Sequence, residues 1–335
     1  MKAYEIRDSF GIDALALSER PELTPGPGQV VVRNRAVSLN FRDLLVVKGD
    51  YSRKLPLPMT PCSDCAGEVA AVGDGVTRVK VGDRVAGIFM QTWLDGDVTE
   101  AKAKSALGGA IPGVLAESVL LHENGLVHFP AHLSFEEAAT LPCAGVTAWH
   151  ALVTEGGIKA GDTVVTLGSG GVSLFALQFA RIMGARVIAT SSSDEKLARL
   201  IEMGASDGIN YKTTPDWDKR VRELTGAGAD HIVEVGGAAT LPKSFKAVRM
   251  NGRISLIGNV SGHGEVNPVP LLMKNVRMQG VFVGSREMFE AMNQTIAAQG
   301  MRPVVDRIFP FDEAREAMLY MESGAHFGKV CIKVS

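Results

Sequence analysis

The clearest ordering of apolar and polar positions runs from residue 162 to 211. Thr163-Val164-Val165-Thr166-Leu167 is an apolar run of strand length, followed at once by Gly168-Ser169-Gly170-Gly171-Val172-Ser173. From 174 to 183 apolar residues recur at helical spacing until Gly184, and 186–190 reads as a second strand. The alternation of strand and helix holds from 136 to 257, which predicts an α/β unit with a doubly wound parallel sheet. Its expected strands are 163–167, 186–190, 207–210, 231–234 and 253–257. Beyond it the pattern predicts a strand over 276–283, a helix over 286–299, a strand over 304–309, a helix over 312–323 and a strand over 329–334. The stretch 2–122 is different: short strands are divided by Gly and Pro, with turns at Gly73-Asp74-Gly75 and Gly82-Asp83. That pattern predicts a β-rich, partly open barrel. Residues 90–115 fit neither template; a loop carrying a short helix is expected, serving either as a lid over a pocket or as an exposed insertion. Trp93 is its candidate pocket wall.

Strand, glycine turn, helix and strand within about thirty residues is the setting of a dinucleotide site. Gly168 permits the tight turn, and Ser169, Gly170, Gly171 and Val172 bring backbone N–H groups toward a pyrophosphate at a helix N-terminus. Ser173 stands where a third glycine is usual, and its small side chain still allows close packing. The end of the second strand distinguishes NAD from NADP, because an acid there holds the ribose 2′-hydroxyl and repels a 2′-phosphate. Here it reads Ser191-Ser192-Ser193, with Asp194 and Glu195 falling in the first turn of the next helix. Ser191, Ser192, Lys196 and Tyr211 form a candidate cradle for a 2′-phosphate, so NADP is expected over NAD. An ordinary exposed helix lysine is the alternative reading of Lys196.

These motifs, with Asn40-Phe41-Arg42-Asp43, Pro61-Cys62-Ser63-Asp64-Cys65-Ala66-Gly67-Glu68-Val69, Gly82-Asp83-Arg84-Val85, Leu141-Pro142-Cys143-Ala144-Gly145-Val146-Thr147-Ala148-Trp149 and Phe327-Gly328-Lys329-Val330, run through nearly the whole chain. The chain resembles the medium-chain dehydrogenase/reductase superfamily, in its zinc-independent, quinone-oxidoreductase-like branch. The resemblance implies a GroES-like catalytic domain (1–125), a Rossmann NADP-binding domain (126–265), and a remainder (266–335) that adds a sheet strand and returns to the catalytic domain. It implies a ligand cleft between the domains and a 2′-phosphate contact from Lys196 and Tyr211. It places Val235-Gly236, Ile257-Gly258-Asn259 and Val283-Gly284 against the nucleotide, Asn40 and Thr147 at the nicotinamide end, and Lys329 as a terminal contact across the cleft. A tyrosine matching Tyr51 lines the substrate pocket in such relatives.

In zinc-dependent relatives a Cys, His and Cys hold the metal and leave one position open. Alignment through Ala66-Gly67 sets Asn40 and Ser63 at the first two of those positions and Asp64 at the neighbouring glutamate; Cys143 alone survives. No zinc is expected. Cys62-Ser63-Asp64-Cys65 lacks a second Cys or His pair and does not open a helix after a strand, so neither a structural metal nor a redox role is expected of it. The seven histidines, at 122, 128, 132, 150, 231, 263 and 326, show no metal spacing and are read mostly as surface or capping residues. Without a metal, hydride transfer from a nicotinamide suits acceptors that are already electrophilic. The expected activity is therefore NADPH-dependent reduction of quinones or α,β-unsaturated carbonyls. Tyr51 and Asn40 are the catalytic candidates, with a half-buried aromatic as the alternative for Tyr51. Arg42 and Asp43 are read as a structural ion pair. The alternatives are an alcohol dehydrogenase or carbonyl reductase of the same superfamily, and a nucleotide-binding redox sensor.

Composition adds boundaries. The chain has 335 residues, 46% hydrophobic and 21% charged, with a formal charge of −2. That length supports two cores, and that charge gives no reason to expect nucleic acid or an anionic membrane as partner. The opening residues alternate like a strand rather than a signal peptide, and four cysteines without framework spacing suit reduced thiols; a cytoplasmic location is expected. The apolar-rich stretch 276–282 would be an exposed sheet edge, which predicts a homodimer.

Overall fold

The computed structural model describes residues 1–262 and 264–334, so His263 lies outside the described residues. The chain forms two compact units: 1–146 with 283–335, and 147–282. The first border falls later than 125/126, which sheet pairing explains, and the second lies after the further sheet strand expected within 266–335. Strand β7 (Leu126–His128) pairs with β5 (Arg84–Gly87) of the first unit, and the helix Phe135–Ala139 belongs to that unit too. At the other end, β13 (Arg277–Gly280) pairs in parallel with β12 (Val248–Leu256) and extends the second unit's sheet.

The first unit opens on a two-stranded ribbon, β1 (Lys2–Ile6) with β2 (Leu15–Glu19). Its main sheet runs β14–β15–β3–β4–β5–β7, where β3 is Gln29–Ser38, β4 Asp64–Val72, β14 Val305–Pro310 and β15 Lys329–Lys333. β6 (Ser118–His122) also pairs with β3. The long β3, rich in valine, is the spine; register shifts against β4 curl the sheet around a core that includes Val30, Val32, Val37, Val69, Val85 and Ile332. The pairing of β15 with β3 ties the chain's last segment into a unit that its first residues began.

The second unit is a six-stranded parallel sheet in the order β10–β9–β8–β11–β12–β13, with β8 Thr163–Leu167, β9 Arg186–Ser191, β10 Asp207–Asn210 and β11 Ala229–Glu234. This is the 3-2-1-4-5-6 order of a dinucleotide-binding sheet. Side chains alternate across it. Val165, Ile188, Ile209, Ile232 and Ile254 pack with Trp217, Val221 and Phe245 of the helices Trp217–Thr225 and Leu241–Ala247. The helix Gly171–Ile182 lies against β8 and β9, with Phe179 meeting Trp149 edge-on.

The expected strand 276–283 is shorter than anticipated, because only Arg277–Gly280 stays in register with β12. The stretch 312–323 divides into a tight turn, Phe311–Glu313, and the helix Ala314–Glu322. Residues 90–115 contain the short helix Glu100–Ala103, capped by Thr99. Trp93 is buried with Nε1–H donated to the Gly96 carbonyl at 2.8 Å. It is therefore a structural pin of this segment. Among the described residues, no helix is long and apolar enough to cross a membrane.

Candidate active site

In the second unit the glycine turn is built as its sequence requires. Gly168 has φ of 76°, a conformation that only glycine adopts without strain, and its N–H bonds the Thr190 carbonyl at 2.9 Å. Gly170 caps the helix Gly171–Ile182, and a side chain at 168 or 170 would meet no protein atom within 4 Å. The space over the turn is open, while the first helical N–H groups have no intrahelical partner. Ser173, at the third fingerprint position, is buried and donates to the Leu167 carbonyl at 2.7 Å. The serine thus ties helix to strand where glycine would only let them approach.

A cavity of about 420 Å³ lies beside this turn, lined among others by Gly168, Thr190, Tyr211, Val235, Gly236 and Lys243. Tyr211 is half-exposed at its wall, whereas Ser191 is buried at the end of β9 with its carbonyl accepting the Tyr211 N–H at 3.0 Å. Ser192 and Lys196 follow, half-buried. Asp194 opens the helix Asp194–Glu202, as expected of an acid in a first turn, and Ser193 caps it. Gly258 abuts the β11 turn so closely that a Cβ would stand 2.5 Å from the Val235 carbonyl, and Asn259 packs on Gly237. Ile257 N–H donates to the Glu234 carbonyl at 2.9 Å.

Two contributors escaped the sequence. Glu234 is fully buried, and its Oε1 accepts from Gly236 N–H at 2.8 Å, Gly237 N–H at 3.1 Å and Thr240 Oγ1 at 2.5 Å; Oε2 accepts from Ser244. One carboxylate therefore shapes the turn after β11. Its signal was an acid closing an otherwise apolar strand before two glycines. Lys243, at the cavity wall, gave no such signal.

The first unit holds a second polar concentration. Asn40 caps the helix Phe41–Lys48, and its N–H donates to Asp43 Oδ2 at 2.8 Å. Asp64, fully buried, accepts from Ser63 Oγ at 2.6 Å and from the Cys143 N–H at 3.1 Å. Lys329 turns inward from β15 and donates from Nζ to the Leu39 carbonyl at 2.5 Å and to Asn40 Oδ1 at 2.6 Å. Burial pushes the Asp43 carboxyl up to about 7 while Arg42 pulls it down, and it raises Asp64 against the opposing charge of Lys329. Burial also raises Cys62, Cys143 and, to about 12, Cys65, so none of these thiols is a ready thiolate. All four cysteines are free. Among the described residues, no group of three or more His, Cys, Asp and Glu side chains could hold a metal ion.

Arg42 and Asp43 do not form the expected ion pair. Neighbouring helix positions face different directions. The Arg42 guanidinium lies 5.0 Å from the Tyr51 ring centroid and 4.7 Å from that of Phe89, and donates to the Leu107 carbonyl at 2.8 Å. Tyr51 itself is half-exposed. Val283 adopts φ of 57°, a strained conformation for a β-branched residue, and Gly284 follows it. Thr147 is buried in the helical stretch Val146–Trp149. Not every histidine is a surface residue: His231 is buried with Nε2 3.1 Å from Asp162 Oδ2, while His122 caps a turn.

Residues 26–131 match the model of the alcohol dehydrogenase GroES-like domain, and 171–298 that of the zinc-binding dehydrogenases. A zinc-type alcohol dehydrogenase-like protein of Schizosaccharomyces pombe is 46% identical over 316 residues, covering 92% of this chain and 91% of its own. Human quinone oxidoreductase is 29% identical, covering 95% and 92%. Among solved structures, an NAD-dependent alcohol dehydrogenase superposes with a TM-score of 0.92 at 36% identity, covering 100% of both chains. A mycobacterial protein complexed with NADPH gives 0.84 at 28%, again covering 100% of both. The chain belongs to the medium-chain dehydrogenase/reductase superfamily and is an oxidoreductase of that family.

Two predictions follow from these buried acids. Glu234→Gln replaces a four-donor acceptor with an amide whose N–H₂ faces donors, which should cost about 1–3 kcal/mol in stability. Affinity for a nicotinamide nucleotide should fall with it; unchanged urea midpoint and unchanged nucleotide titration would sink the role given to Glu234. Asp43 has a folded pKa near 7 against an ordinary 3.8, so the folded state keeps its proton longer. Its contribution to stability is therefore greatest below about pH 4 and declines as pH rises to about 7. Asp43→Asn should flatten that decline in urea midpoints measured at pH 4, 5.5 and 8, and an unaltered slope would refute the assignment.

Proposed function

We propose that the chain is an NADPH-dependent reductase of quinones or α,β-unsaturated carbonyls that works without zinc. The observation that carries this reading is the character of the metal-ligand positions. Asn40 and Ser63 are neutral, weak ligands for zinc, and an ammonium already occupies the Asn40 oxygen. That donor set does not fit a catalytic zinc, so acceptors already activated by conjugation suit the site better than simple alcohols or ketones.

The second unit fits a dinucleotide: an open glycine turn, a helix N-terminus above it and an adjoining cavity whose wall includes Tyr211. Bound NADPH supplies the hydride. Gly168, Ser169, Gly170, Gly171 and Val172 cradle its pyrophosphate, while Ser191, Ser192, Lys196 and Tyr211 receive the 2′-phosphate, since no carboxylate closes β9 to repel it. Val235, Gly236, Ile257, Gly258 and Asn259 give close backbone approach, and Thr147 meets the nicotinamide end. Tyr51, packed against Arg42 and half-exposed, presents a hydroxyl to the acceptor oxygen. An alcohol dehydrogenase using NAD is the second reading, favoured by the name of the solved relative at 36% identity.

Metal analysis, nucleotide titration and a panel of a quinone, an enone and an alcohol separate the two. The expected outcome is substoichiometric zinc, tighter binding of NADPH than NADH, and turnover of quinone or enone. Lys196→Ala should weaken NADPH by roughly tenfold and leave NADH unaffected, the signature of a lost charge-assisted phosphate contact. One zinc per chain with NAD-dependent alcohol oxidation would instead establish the second reading.

The homodimer is also proposed. β13 is one of the two edges of the parallel sheet, and Met278, Phe282, Leu272 and Met273 are exposed on or near it. Sedimentation at micromolar concentration should give twice the chain mass; a monomer would overturn the pairing.

A further inference from the structure

The resemblance makes Lys329 a contact across the cleft; its side chain is 4% exposed and bonded within the first unit. Two of its three N–H groups go to neutral oxygens, the Leu39 carbonyl and Asn40 Oδ1. An ammonium withdrawn from water without a countercharge is costly. The buried Asp64 carboxyl is the acid on which the Lys329 charge acts most favourably, against the burial that raises it. Its carboxyl is fully buried, and Lys329 exerts the largest influence favouring its ionised form, followed by Asn40, Ser63 and the Cys143 N–H. Asp43 feels the same charge more weakly. The five residues Lys329, Asn40, Ser63, Asp64 and Cys143 thus form one network, and three of them stand at the positions of the zinc ligands in metal-dependent relatives.

We infer that the Lys329 ammonium takes over the electrostatic duty of the metal: it is the fixed positive charge of the site, the countercharge of Asp64 and the clamp on the Asn40 amide. The inference rests on the metal-free reading above. With Oδ1 bonded to the ammonium, the orientation of Asn40 is set, and its Nδ2, which favours the ionised form of Asp64, has no further hydrogen-bond partner among the described residues. Donation to Oδ1 also polarises that N–H₂ group. Were NADPH bound, its C4–H bond would break to give NADP⁺ as the hydride forms a C–H bond at the β-carbon of an enone, the π electrons would move onto the carbonyl oxygen, and a proton from water would complete the α-carbon as the carbonyl re-forms. The charge that develops on oxygen is stabilised by a preorganised positive site that need not reorient. Lys329 is a positioning and charge-supplying residue here, acting through Asn40.

A double-mutant cycle on the full chain tests this, with Lys329→Met, Asp64→Asn and the pair together, alongside Lys329→Arg. Urea unfolding is measured without substrate. Lys329→Met should lower the midpoint, and adding Asp64→Asn should raise it again, because the orphaned carboxylate has been removed; folding of the double variant when the single one fails is the same result. In steady-state enone reduction, Lys329→Met should lower kcat by roughly 10²-fold while the KM for NADPH changes little, and Lys329→Arg should recover part of kcat. Additive unfolding effects, or a kcat that survives Lys329→Met, would overturn the inference. A raised KM for NADPH at unchanged kcat would also overturn it and make Lys329 a nucleotide contact. Wild-type protein that reduces no enone or quinone removes the functional reading instead, while the unfolding cycle still decides the Lys329–Asp64 pairing.

Discussion

Both polar centres of this protein obey one constraint: a charge removed from water must find its partners inside the fold. Glu234 meets it with backbone N–H groups and hydroxyls of its own turn and the following helix. Lys329 meets it with oxygens just before a helix far away in sequence, and Asp64 meets it with Ser63 and the Cys143 N–H. Each charge fixes backbone as much as it neutralises its counterpart. The loops around it are consequently set in place before any ligand arrives, which is the preorganisation that hydride transfer demands of a protein.

The two units divide the chemistry by physical type. The parallel sheet offers backbone: an open glycine turn, helical N–H groups and a cavity with few charges. The barrel-like unit offers side chains, with Asn40, Asp43, Ser63, Asp64 and Lys329 drawn together by antiparallel pairing of β15, β3 and β4. The inferred stand-in of an ammonium for a metal would also change what the site can catalyse. A monocation and an amide polarise an oxygen less than zinc does, so under that inference the acceptor would supply part of its own activation.

Legibility followed the range of the interaction that determines each feature. The glycine turn, β8, β10 and the helix Arg286–Gln299 were readable because local spacing decides them. The substitution of serine at 173 was readable as tolerable, but its bond to the Leu167 carbonyl was not. The Arg42–Asp43 pairing inferred from adjacency failed because helix geometry separates consecutive side chains, and Arg42 found two aromatic rings instead. The expected border at 125/126 falls before that of the compact unit because pairing of β7 with β5, which no local pattern records, joins residues 126–128 to the first unit.

By itself the sequence determined the family, the α/β character with its barrel-like companion, and the chemistry offered at the turn after β8. Those depend on periodicity, glycine positions and residue types that act over a few positions of chain. The tertiary structure alone decided the surroundings of Lys329, Asp64 and Glu234. A lysine at 329 and an asparagine at 40 come within 2.6 Å only because β15 lies beside β3, and no local pattern records that strand pairing.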